Sequence, residues 1–223
     1  MAFYNGDVGT VRLLLKSGAE LEYVNRRLWT SARYIFDPEL CKLHTAELLD
    51  ICAELDFEQW NEQDVQGWTI FHRGSAFGRA SDLKKLLNLH AISNVYTSTL
   101  KWLPIFCAVY YGNESTFDFL VDLIPPPALP NLRDARGWTL LHLAAENGSE
   151  AIMTRLLQRK LDPYSKTDKS GLAMPEGLAM RELTASDIAD FCNNGIIYEK
   201  ALKTAGYIMP RQGSDGIMLN DED

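Results

Sequence analysis

The residues of this chain that could bind a metal lie near one predicted helix. Cys41 and His44 are three positions apart, and Cys52 follows about two turns later. Thiolate and imidazole groups can bind zinc, but structural zinc sites hold four ligands and usually include a closely spaced cysteine pair. This stretch offers no clear fourth ligand and no such pair. We therefore predict no metal and no cofactor.

A catalytic nucleophile is the second chemistry that these residue types allow. A Cys or Ser nucleophile needs a His base within hydrogen-bond distance. His72 and His142 belong to a repeated turn motif, whereas His44 and His90 lie in helix or loop contexts. The sequence also lacks the phosphate loop, the nucleophile elbow and the H-E-x-x-H zinc motif. We predict no catalytic residues and no enzymatic activity.

The strongest pattern is a tryptophan followed by a threonine and a histidine. The stretch "RGWTLLHLAAENG" covers 136–148, and "QGWTIFHRGSAFG" covers 66–78. Tryptophans recur with a period of roughly 35 residues, which is typical of a solenoid whose units cover each other's apolar faces. The tryptophans of this row are Trp29, Trp68, Trp102 and Trp138.

Each unit predicts the same two helices. In the unit at 134–167, Asp134 and Gly137 form a turn, "TLLHLAAEN" forms a short helix, and Gly148 separates it from "EAIMTRLLQRKL". Apolar residues of the second helix recur at helical spacing, and its arginines are left for solvent. The unit is therefore a turn followed by two antiparallel helices.

These residues resemble the ankyrin repeat. The T-P-L-H-x-A core of that family is matched by "TLLHLA" at 139–144, and "LPIFCA" at 103–108 keeps its proline and alanine. The resemblance implies an all-α repeat fold, an ankyrin-repeat solenoid of stacked helix-turn-helix units with β-hairpin-like loops. The predicted domain covers 1–208, with repeats at 1–25 (partial), 26–63, 64–97, 98–133, 134–167 and 168–208, an insertion at 172–182, and an acidic disordered tail at 209–223.

The resemblance gives the Thr and His positions a structural role, because in this family their side chains hydrogen-bond the backbone within and between units. The tryptophans have two open interpretations. Each indole either presents a flat apolar face to a partner on the concave side, or packs on the next turn as scaffold. On the first interpretation, the partner-binding residues are Trp29, Trp68, Trp102, Trp138, Gln66, Phe77, Tyr110, Tyr111 and Arg136.

Composition limits the remaining functions. A net charge of -8 argues against binding nucleic acid, which requires a cationic surface. The sequence has neither a secretion signal nor a long apolar run, so we predict no membrane association and a cytoplasmic or nuclear location. The run "PPPALP" at 125–130 either presents a polyproline II ligand or stiffens a loop, and we favour the loop.

Two functions follow from the resemblance. The first is a monomeric module that binds a protein or peptide through the groove of the repeat stack. The alternative is a regulatory or sensor domain that packs on an upstream domain of a larger enzyme or signalling protein. The first unit begins inside its first helix, so we expect the chain to be a fragment of a longer protein, or to be capped by a partner.

Overall fold

The computed structural model describes residues 2–21, 24–38, 44–168 and 182–207. Within these ranges the regular elements are α-helices and short 3-10 helices, and no strand is formed. The α-helices are α1 (Val8–Lys16), α2 (Thr45–Glu54), α3 (Ile70–Phe77), α4 (Ala80–Asn88), α5 (Pro104–Tyr110), α6 (Glu114–Leu123), α7 (Leu140–Asn147), α8 (Glu150–Gln158), α9 (Ala185–Phe191) and α10 (Gly195–Thr204). The 3-10 helices are Ser31–Phe36, Gln59–Asn61 and Leu129–Asn131.

The helices form two rows. The inner row contains the 3-10 helix Ser31–Phe36 followed by α3, α5, α7 and α9, and each of these packs on the next. The outer row contains α1, α2, α4, α6, α8 and α10, again in contact one after another. Every unit therefore buries its apolar face against its neighbours, which confirms the prediction of an all-α repeat solenoid.

Small residues let the two rows approach closely. Ala108, Ala144 and Ala145 on the inner helices are fully buried. At Gly74 on α3, a Cβ atom would lie 3.0 Å from Leu83 Cδ2 of the outer helix. A larger side chain at these positions would overpack the contact between the rows.

The turns that precede the inner helices form a third row. The Asp64 N–H donates to Trp68 O at 3.0 Å, and the Asp134 N–H donates to Trp138 O at 2.9 Å, so each turn closes on itself. Single backbone bonds then join one turn to the next, including one from the Ser98 N–H to Gln66 O at 3.0 Å and one from the Asp168 N–H to Arg136 O at 3.1 Å. The loops are thus hairpin-like without forming a ladder.

The residue before each tryptophan of these turns has a positive φ, and it is glycine in two turns and Leu28 or Lys101 in the others. Gly67 and Gly137 have φ of +79° and +72°, the left-handed region that side chains with a Cβ disfavour. A Cβ on Gly137 would also lie 2.6 Å from the backbone nitrogen of Asp168 in the next unit. The glycine of the turn therefore satisfies both its own conformation and the spacing between units.

The second unit differs from the regular units, and the predicted insertion and tail lie almost entirely outside the described residues. The first helix of the second unit is a 3-10 helix that stops at Phe36, because Asp37 precedes Pro38 and takes an extended conformation. The insertion at 172–182 falls outside the described residues except for Glu182, and so does the tail at 209–223.

None of the helices in the described ranges is long and apolar enough to cross a membrane.

Candidate functional site

The histidines of the repeat join one unit to the next. In the third unit the Thr69 N–H donates to His72 Nδ1 at 3.1 Å. The proton of the neutral ring is therefore on Nε2, which donates to Trp102 O of the next unit at 3.1 Å. His142 makes the same contact with Leu183 O at 3.1 Å. These side chains have the structural role that the sequence predicts.

Burial disfavours acid–base and nucleophilic chemistry at four side chains, which are His72, His142, Cys52 and Cys107. It lowers the pKa of both His72 and His142 to about 4, so both rings are neutral near physiological pH. It raises the pKa of the Cys52 thiol to about 12, and that of Cys107 in the same direction. Among the described residues no three His, Cys, Asp or Glu side chains are placed to hold a metal ion, while Cys41 lies outside those residues.

Arg33 occupies the histidine position of the second unit, a role that our sequence analysis missed. Its Nη1 donates to Trp68 O at 2.6 Å, and its Nη2 donates to Glu62 O. Nη1 also lies 3.3 Å from Asp64 Oδ2, and both side chains are 2% exposed. Alignment of "TSAR" with "TIFH" and "TLLH" could have identified this role. Arg33 stands three residues after Thr30, as each histidine stands three residues after its threonine.

Two of the four tryptophans are fixed by a carboxylate of the following turn. Trp29 Nε1 donates to Asp64 Oδ2 at 3.2 Å, and Trp102 Nε1 donates to Asp134 Oδ2 at 3.0 Å. The other oxygen of each carboxylate accepts backbone N–H groups of its own turn, as in the bond from the Trp68 N–H to Asp64 at 2.9 Å. These indoles therefore act as part of the scaffold between turns.

Two of the four tryptophans are buried, which favours the scaffold interpretation for them. Trp138 is 0% exposed and Trp102 is 5% exposed, so neither presents a free indole face to a partner. Arg136 is also buried, because it pairs with Asp134 at 2.8 Å and stacks 4.0 Å from the centroid of Trp138. Packing within and between turns therefore covers apolar area that one of the two interpretations left for a partner.

Five of the predicted residues do lie together in one groove. They surround a cavity of about 400 Å³ between the turns and the inner helices. Tyr110 and Tyr111 are exposed at the C-terminal end of α5, and their rings are 5.1 Å apart. Gln66 is exposed and Trp68 is half-buried. The five residues are Gln66, Trp68, Trp102, Tyr110 and Tyr111.

Phe77 extends this aromatic surface towards the second unit. Its ring lies 4.6 Å from that of Tyr111, which in turn lies 6.2 Å from Trp68. Phe77 and Tyr111 also line a second cavity of about 510 Å³ beside Pro38 and Arg79. We call the residues Gln66, Trp68, Phe77, Trp102, Tyr110 and Tyr111 the aromatic groove.

Trp29 lies on the second-unit side of this groove. Two arginine side chains lie over its indole ring, a contact that the sequence did not predict. The guanidinium carbon of Arg73 is 3.6 Å from the centroid of Trp29, and that of Arg27 is 5.7 Å from it. Tyr34 packs edge-on against the same indole at 5.3 Å. Arg73 lies on an inner helix immediately after His72, and no spacing rule in the sequence marks it as a surface residue.

Comparison with known proteins identifies the repeats. The sequence model of the family described as "Ankyrin repeats (3 copies)" matches residues 71–167. Over 132 residues, 55% of this chain, the sequence is 27% identical to Rabankyrin-5 of Homo sapiens and 26% identical to Rabankyrin-5 of Mus musculus. The match covers 11% of each of these relatives, so it spans about a tenth of their length.

Proposed function

Because the chain is an ankyrin-repeat protein, we propose that it binds a protein or peptide partner through the aromatic groove. Ankyrin repeats are generally protein-binding modules, and the family is a repeat family rather than an enzyme family. Fold alone does not select a binding surface, so the proposal depends on the groove itself.

The observation that carries this proposal is the exposed aromatic surface on the inner helices. Tyr110 is 37% exposed and Tyr111 is 44% exposed, although both rings pack on other aromatic rings and are held in place. Rigid aromatic residues with a polar end contribute much contact area to an interface and lose little conformational entropy on binding. The exposed amide of Gln66 adds a hydrogen-bonding group at the rim.

An affinity capture with matched variants tests the proposal. We compare the wild-type chain with the double variant Tyr110→Ser, Tyr111→Ser and with the control Tyr164→Ser, which changes a tyrosine that is 67% exposed elsewhere. A partner of the groove is retained by the wild type and by the control but lost by the double variant. Direct titration of that purified partner should show a loss of about thirtyfold or more, as expected for interface hot spots. Equal capture by all three proteins contradicts the proposal.

A second candidate function is docking on another domain of the same polypeptide. It is favoured by the relatives, in which the similar segment is a small part of a much longer protein. The groove would then be occupied by an intramolecular segment. Hydrogen exchange of α5 distinguishes the two, because intramolecular docking protects Tyr110 and Tyr111 in the longer polypeptide without any added partner.

A further inference from the structure

Two guanidinium groups beside the aromatic groove have no carboxylate partner in the described part of the chain. Arg27 is exposed, and Arg73 is half-buried with an Nε atom that is covered and makes no hydrogen bond. Exposed cations such as Arg26 and Lys101 also form no salt bridge among the described residues, whereas other cations of the surface are paired with carboxylates. Examples are Arg12 with Glu54, Lys85 with Asp50, Arg155 with Glu114, Arg159 with Asp122 and Lys200 with Glu150.

The contact with Trp29 does not satisfy these cations. Stacking on an indole uses the flat face of a guanidinium and gives no hydrogen-bond acceptor to the N–H groups at its edge. Burial lowers the pKa of Arg73, and the charges of Asp64 and Asp37 offset part of that shift without forming a salt bridge with it. An acceptor that reached Arg73 would offset the remaining cost of burial and form charge-assisted hydrogen bonds.

Arg73 also adjoins the aromatic groove. Burial raises the pKa of Tyr111, and the nearby positive charge of Arg73 offsets part of that rise. Tyr111 contacts both Trp68 and Phe77, so a cationic site and an apolar surface lie next to each other.

We propose that the groove recognises a peptide segment of a protein partner in which Asp or Glu stands next to an aromatic or large aliphatic residue. The carboxylate accepts hydrogen bonds from Arg73 and Arg27, and the neighbouring side chain packs on Trp68 and Tyr111. This proposal rests on the proposed function and adds the chemistry of the partner. The net charge of -8 disfavours the binding of acidic peptides in general, so these arginines determine the preference.

The test uses phage-displayed random linear peptides as the probe, selected on the full chain. We expect enriched sequences to contain Asp or Glu adjacent to Trp, Phe, Tyr or Leu. A synthetic peptide with the enriched sequence should bind the double variant Arg27→Gln, Arg73→Met at least about tenfold more weakly than the wild type. The control Arg159→Gln, which removes a paired cation of the outer row, should bind it within about twofold.

The exposed Arg27 also provides a variant whose folding is not in question. Arg27→Gln alone should weaken the peptide and reduce the salt dependence of its binding, because one charge contact is removed. Peptides that bind both arginine variants as tightly as the wild type, or an enriched set without acidic residues, would overturn the proposal. If the peptides also survive Tyr110→Ser with Tyr111→Ser, the proposed groove fails as well. If only that tyrosine variant loses them, the groove stands and the acidic preference does not.

Discussion

Replacement of the buried Arg33 is the sharpest test of how the second and third units are joined. Arg33 donates to two backbone carbonyls and pairs with Asp64, and both side chains are 2% exposed. Arg33→Met keeps most of the side-chain volume but leaves the carboxylate buried without its cation. Losing one member of a buried ion pair costs about 3–5 kcal/mol.

The remaining partners of Asp64 place the expected loss at the lower end of that range. Its carboxylate still accepts hydrogen bonds from the N–H groups of Gln66 and Trp68, both at 2.9 Å, and from the indole of Trp29 at 3.2 Å. We therefore expect Arg33→Met to lower the free energy of unfolding by about 3 kcal/mol. Arg33→His, the residue of this position in two other units, restores one bond and should lose less.

Urea unfolding followed by circular dichroism measures the loss, and hydrogen exchange of Ser31–Phe36 shows whether it is confined to the second unit. The control Arg155→Met removes a partly exposed cation paired with Glu114. It should lower the free energy of unfolding by less than about 1 kcal/mol. Combining Arg33→Met with Asp64→Asn should cost less than the sum of the two single changes. A loss below about 1 kcal/mol for Arg33→Met, or strict additivity, would refute the assigned role of the ion pair.

Three further predictions concern the buried parts of the repeat. The pKa of His72 and of His142 is lowered from 6.5 to about 4, so the unfolded chain binds more protons between these values. Stability should fall by up to about 3 kcal/mol per histidine as the pH drops from 6.5 to 4, and His142→Asn should flatten the measured pH profile. Gly137→Val should lower the free energy of unfolding by about 2 kcal/mol or more, because the valine side chain would meet the backbone of Asp168. An unchanged thermal melt would contradict this. Trp138→Ala should lower the free energy of unfolding, measured in urea, by about 3–5 kcal/mol, because the indole is fully buried. Removal of an exposed indole costs much less, so a small loss would contradict the burial of Trp138.

The sequence predicted the repeat and its local contacts because these depend on residues close together in the chain. The position of Gly137 predicted the left-handed turn, and the Thr139-to-His142 spacing predicted the start of α7. Helical spacing predicted which residues of α8 are buried, such as Ile152 and Leu156. Each of these predictions follows from one turn or one helix.

The exposure of the tryptophans could not be predicted in the same way. Trp68 and Trp138 share the same local motif, yet Trp68 is half-buried and Trp138 is 0% exposed. Arg136 stacks 4.0 Å from the centroid of Trp138, whereas its counterpart beside Trp68 is the exposed Gln66, and this stacking is seen only in the tertiary structure. Likewise, the pairing of Arg33 with Asp64 joins residues of different repeats, and neither residue signals the other in the sequence.

The sequence by itself determined the period, the helices and the glycine turns, since backbone conformation and helical amphipathicity are local properties. Only the tertiary structure decided which aromatic residues remain available. Stacking gives each turn a neighbour whose side chains cover it or leave it open, and that coverage depends on contacts about 35 residues apart. It closes the turn over Trp138 and leaves Tyr110 and Tyr111 exposed beside the unpaired guanidinium groups of Arg27 and Arg73.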